Sequence, residues 1–172
     1  MKKFILACLV VSTIIACSPK TETASTFAAP KDVSSYNLDS SANIDLVKKM
    51  MTAFEAGDSV TYRSCYADTA KFHDNQLEMT LDQNVGNFSY IKSNGLTFKV
   101  LSIAPIWEIV NKEAAADGIK NYVMSFVTIV YTKGDKEAKV TSSMVTGMKD
   151  GKIVEEWDLY DTKLLMDLIS QK

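Results

Sequence analysis

From Leu96 onward the chain is dominated by four long runs rich in β-branched and aromatic residues, and these limit the fold more than any other feature. "LTFKVLSIAPIWEIV", "NYVMSFVTIVYT", "EAKVTSSMVTGMK" and "KIVEEWDLY" suit a pleated, half-buried surface better than a helix. Gly134-Asp135 and Asp150-Gly151 separate the later runs, and both dipeptides signal tight hairpins. The spacing predicts an antiparallel meander. In "YVMSFVTIVY" both faces are apolar: Tyr122, Met124, Phe126 and Val130 on one, Val123, Val127, Ile129 and Tyr131 on the other. A strand apolar on both sides of a single sheet needs a covering layer on each side. Helices cover one face, and a homodimer partner through the sheet is expected on the other.

The helices lie ahead of the meander. "NIDLVKKMMTAFEAG" repeats Ile44, Val47, Met51 and Phe54 at helical spacing, with Ser41 or Asn43 as its cap and Gly57 as its stop. Asp58 or Ser59 caps a short helix in "SVTYRSCY", and "AKFHD" has strand character. "TLDQNVGNFSYIKSNG" returns to a helical period, opening at Thr80 or Asp82 and closing at Asn94-Gly95, and "DTKLLMDLISQ" supplies a last helix. Helices gathered before long antiparallel strands predict an α+β domain in which a curved antiparallel sheet wraps around the N-terminal helices.

The N-terminus carries a different signal. A basic start, Met1-Lys2-Lys3, precedes the apolar run "FILACLVVSTIIA", which has the length of a signal-peptide core and is too short to span a bilayer. The run leads through "IIAC" into the polar "SPKTETAST", an arrangement that resembles the lipobox of bacterial lipoproteins, whose cysteine is acylated (palmitate among the chains) and becomes the new N-terminus. Residues 1–16 are expected to be a signal peptide, 17–41 a lipidated Cys17 with a flexible tether, and 42–172 one domain. Acyl chains on Cys17 would hold the protein at the cell envelope, with the outer membrane favoured over the inner in a Gram-negative cell. Of the 3 cysteines, only Cys65 then remains in the domain, which excludes a disulfide framework. The formal charge of -2, without a basic stripe, gives no reason to expect nucleic acid.

Two further stretches resemble a known group. "AFEAGDSVTYRSCYADTAKFHDN" is similar to the opening of SnoaL-like domains of the nuclear transport factor 2-like superfamily, and "KDGKIVEEWDLYDTKLLMDL" resembles their closing signature. The resemblance spans roughly residues 43–171 and implies a cone enclosing a pocket. Such domains include polyketide cyclases, ketosteroid isomerase, limonene epoxide hydrolase and dehydratases. Others bind ligands or proteins without catalysis.

The single histidine, His73, rules out a His-cluster metal site, and no Cys cluster replaces it, so no metal or cofactor is expected. Proton transfer in an apolar pocket remains. An ordinary histidine side chain is near its titration point at neutral pH, which makes His73 a candidate for acid–base work, although Asp74 on the same strand could look inward in its place. Asp158 and Asp161 match the acids of the closing signature. Asp161 is also a natural cap for the last helix, and Glu155 and Glu156 read as solvated strand charges. Trp157, Phe126, Met144 and Tyr122 are the expected ligand-contacting residues. With so few convergent acid–base groups, the sequence favours an envelope lipoprotein that binds a small apolar or amphipathic molecule without turnover. The alternative is a cofactor-independent cyclase, isomerase or dehydratase using Asp158, His73 or Asp161.

Overall fold

A computed structural model describes residues 34–170 of the chain. Helix α1 (Ala42–Ala56) is capped by the Ser41 side chain, which accepts from Ile44 N, and it ends at Gly57 with φ 68. The positive φ there is why glycine closes this helix. Its buried stripe, Ile44, Val47, Met50 and Met51, returns every three or four residues and packs on the sheet. Asp58 caps α2 (Ser59–Ser64). Thr80 and Gln83 form a reciprocal capping box at the start of α3 (Leu81–Ser93).

Among the described residues seven strands make one sheet: β1 (Ser35–Leu38), β2 (Tyr66–Asp74), β3 (Leu77–Thr80), β4 (Thr97–Asn111), β5 (Asn121–Lys133), β6 (Lys136–Lys149) and β7 (Lys152–Leu159). Their spatial order is β1-β4-β5-β6-β7-β2-β3. The expected meander is β4 to β7, all antiparallel, and Asp150 and Gly151 both take positive φ in the β6–β7 turn, as a type I′ hairpin requires. Helix α4 (Lys163–Ser170) closes the chain. The result is the single-domain α+β cone expected from the sequence.

Three features depart from the expectations. Ser35–Leu38, inside the stretch read as tether, pairs with Glu108–Asn111 and lengthens the sheet. Leu77–Thr80 adds a hairpin strand after "AKFHD". Strand β2 lies parallel to β7, so Phe72 sits beside Glu156, His73 beside Trp157 and Asp74 beside Asp158. This parallel pairing joins the first half of the chain to its last strand, and it assembles the site.

The sheet bends where its ladders slip. Register shifts fall between Val100 and Ser102, Ile103 and Ile106, and Gly147 and Met148. The second spans Pro105, which has no N–H to donate to a ladder. The third changes the alternation along β7, so that Ile153 and Glu156 both turn to the buried side. The core fills the concave face with α1 side chains, Tyr62, Tyr66, Phe72, Val123, Val127, Met144 and Ile153.

Candidate active site

Between the concave face of the sheet and helices α1, α3 and α4 lies a cavity of about 750 Å³, within the size range of small-molecule sites. Alternate residues of adjacent strands form its floor: Val127, Ile129 and Tyr131 from β5, Val140, Ser142 and Met144 from β6, Glu156 and Asp158 from β7. Met50, Met51 and Phe54 of α1 face them. At the rim, Leu77, Tyr90 and Met166 are exposed.

The polar groups gather at the β7–β2 junction. Because side chains alternate, the face that presents Asp158 also presents Glu156, and the parallel register sets Asp74 beside Asp158. Glu156 is only 4% exposed. Its Oε2 accepts from the Tyr66 hydroxyl at 2.7 Å, and the Glu156 and Asp158 carboxyls hydrogen-bond to each other. The Tyr66 hydroxyl lies 3.0 Å from that of Tyr62, which donates to Asn84 Oδ1 at 2.8 Å. Asp74 accepts from the Tyr160 hydroxyl (3.1 Å) and from Asn75 Nδ2 (3.2 Å), while Asn75 Oδ1 accepts from Tyr160 N. Every carboxyl of the cluster is thus fixed in orientation by a phenol, an amide or a second carboxyl.

These surroundings hold protons on groups that water would leave ionised. Burial pushes Glu156 up to about 7, against the lowering effect of the hydrogen bonds from Tyr66 and Asp158. Burial, and then the charge of Glu156, raises Asp158 well above the usual carboxylate range. The pair therefore shares a proton at neutral pH. Burial and the Asp158 and Asp74 charges push Tyr131 up to about 12, and burial with Asp74 raises Tyr160. Such a cluster can donate a proton from the pair and accept one at a neighbouring carboxylate.

The expected site residues divide between the two faces. Asp158 and Met144 line the cavity. Asp161 stands at its edge and accepts from Lys163 N at 2.8 Å, the capping contact expected of it. His73 lies on the opposite face, stacked on Trp157 with an interplanar angle of 8°. Its Nε2 is 2.7 Å from Glu155 Oε1; a carboxylate only accepts, so that nitrogen carries the hydrogen. Trp157, Phe126 and Tyr122 are on this outer face too, with Phe126 39% exposed beside Trp107 and Tyr122 near Trp157. Strand alternation separates all three from the cavity that Glu156, Asp158 and Val127 enter. Glu156, read as a surface charge, is in fact a buried member of the cluster. Parity along β7 was the signal for it, since Asp158 cannot face inward unless Glu156 does. Cys17 lies outside the described residues.

No family model matches the chain, and a search of curated proteins finds no match. Solved structures do match. An LEH-like epoxide hydrolase of M. tuberculosis aligns at 18% identity over 74% of this chain and 90% of its own, with a TM-score of 0.56. A proposed polyketide cyclase from Xanthomonas campestris pv. campestris aligns at 14% identity, over 75% and 97%, with a TM-score of 0.55. PrhC from Penicillium brasilianum aligns at 10% identity, over 74% and 85%, with a TM-score of 0.58. At these identities the likeness shows the fold alone, a curved antiparallel sheet packed on helices.

Proposed function

We propose that this protein is a cofactor-independent acid–base enzyme acting on a small, largely apolar molecule, of the cyclase, isomerase or dehydratase kind. The observation that carries the reading is the Glu156–Asp158 pair, a buried and a half-buried carboxyl on one face of β7 at the floor of a largely apolar cavity, with Asp74 beside them; burial holds both towards their protonated forms. In such a site the pair donates its proton to a carbonyl, hydroxyl or epoxide oxygen of the substrate as negative charge builds there. Asp74, oriented by Tyr160 and Asn75, accepts the proton leaving carbon. The largely apolar walls lower the local dielectric and strengthen both transfers. Structural likeness to an epoxide hydrolase-like protein and to a proposed polyketide cyclase supports this reading over binding without turnover.

The test is proton exchange. An apolar enolisable ketone of suitable size, 2-tetralone, is incubated with the protein in D₂O and its α-protons are followed by NMR. Wild type is expected to accelerate exchange, and Asp158→Asn to lose about 10²- to 10⁴-fold of that acceleration. Binding of the ketone without accelerated exchange would favour a carrier over an enzyme.

We also infer that Cys17 is lipidated and tethers the cone to the cell envelope, a reading supported by "IIAC" at the end of the apolar run. A second copy of the chain is proposed on the outer face. There Trp157, Val145, Met124 and Trp107 form a cross-strand row over β7, β6, β5 and β4.

A further inference from the structure

The cavity surface carries four carboxyl groups, Asp74, Glu156, Asp158 and Asp161, and none of its described lining residues is Lys, Arg or His. The hydrogen-bond partners of these carboxyls are phenols, amides and each other. Carboxyls gathered in a low-dielectric cavity repel one another, and a cation entering among them relieves that repulsion and replaces its own lost hydration. The same walls present five aromatic rings, those of Phe54, Tyr62, Tyr90, Tyr131 and Tyr160. Ring faces attract ammonium groups and accept apolar carbon equally well. Among the described lining residues an anionic ligand finds no cation to pair with and no relief from the acids.

We propose that the cavity selects a molecule bearing a protonated amine on an otherwise apolar body and rejects a carboxylate of the same shape. The selection rests on the cavity being the ligand site, as argued above, and adds the charge of what enters it. A carboxyl pair holding one shared proton still presents a negative charge, and Asp74 and Asp161 extend that potential from the floor to the rim.

Three probes of one shape separate the contributions: 2-naphthylmethylamine, 2-naphthylmethanol and 2-naphthoate. Their affinities for the full chain are measured by calorimetry at pH 7 and low salt. The amine is expected to bind about tenfold more tightly than the alcohol, the scale of one charge-assisted hydrogen bond. The carboxylate is expected to bind most weakly, and the amine's advantage should fall as salt is added. In Asp74→Asn that advantage should shrink to under about threefold. The wild-type ranking needs no variant to fold, so it decides the question even if Asp74→Asn is unstable. An alcohol that binds as well as the amine, or a carboxylate that binds best, overturns the charge selection and leaves the pocket standing. Failure of all three to bind overturns the selection and the ligand site together.

Discussion

Replacing Glu156 by glutamine should flatten the dependence of stability on pH, and the size of the effect follows from where this carboxyl sits. An acid whose folded-state pKa is raised binds more protons in the native state than in the unfolded one. Stability therefore falls as pH rises through the interval between the two values. For Glu156 that interval runs from 4.5, the ordinary value, to about 7 in the folded protein. A shift of that width corresponds to about 3 kcal/mol lost between pH 4.5 and 7, with a plateau on either side. Asp158 moves in the same direction, so the fall for the pair is at least as steep. Glutamine stays neutral and still offers an oxygen to the Tyr66 hydroxyl. Its constant offset from changed hydrogen bonding is about 1 kcal/mol.

Urea unfolding of both proteins at pH 5, 6, 7 and 8 gives the comparison. Asp158, whose own shift depends in part on Glu156, changes with it, and the titrating groups outside the pair are common to the two proteins, so the difference between them reports the pair. The stability of Glu156→Gln relative to wild type should rise by about 3 kcal/mol from acid to neutral pH. With an m-value of about 1–3 kcal/mol/M that moves the relative midpoint by roughly 1–3 M. A difference constant across the range would refute the buried, proton-sharing pair, and a difference that shrinks with pH would reverse its sign.

Other consequences follow from the same contacts. Tyr66→Phe removes the one phenol that favours ionised Glu156, so it should cost about 1–2 kcal/mol and move the pair's titration to still higher pH, as seen by carboxyl NMR. Met144→Ala should weaken binding of 2-naphthylmethanol, whereas Phe126→Ala on the outer face should leave it within about twofold; equal losses would mean the ligand uses the other face. Asn43→Ala should destabilise by about 1–3 kcal/mol in thermal or urea unfolding, because it takes one of two amide donors from Glu108, which is 2% exposed.

The meander, the caps and the helical stripes were legible because each depends on neighbours a few residues away. Ser41, Gly57, Asp58, Thr80 and Asp150-Gly151 occupy turn and cap positions dictated by local backbone geometry. The site was legible only in part. Asp158 and Met144, two of the candidates, line the cavity, but deciding which face of a half-buried strand looks inward requires the partner strands. Trp157 illustrates the difficulty, since an aromatic next to an inward acid faces outward by alternation and stacks on His73. The parallel β2–β7 pairing has no local signal, and it alone sets Asp74 beside Asp158 across more than eighty residues of chain. The short β1 was lost in a Ser- and Asp-rich stretch because a four-residue edge strand carries too little periodicity to stand out.

A buried acid can be purely structural, and this fold contains one for comparison. Glu108, on β4, has amide donors from Asn43 and Asn121 converging on Oε1, which ties α1 to the sheet away from the cavity. That is how a protein satisfies a carboxylate it needs only for architecture: it supplies dedicated neutral donors. Glu156 and Asp158 are treated differently. Between them they receive a single phenol and otherwise depend on each other's proton, while Asp158 borders a cavity large enough for a ligand. Retaining two carboxyls that depend on each other at the floor of a largely apolar cavity carries a desolvation cost and leaves a transferable proton within reach of whatever enters. The contrast with Glu108 is the physical reason for assigning chemistry to one buried acid cluster and architecture to the other.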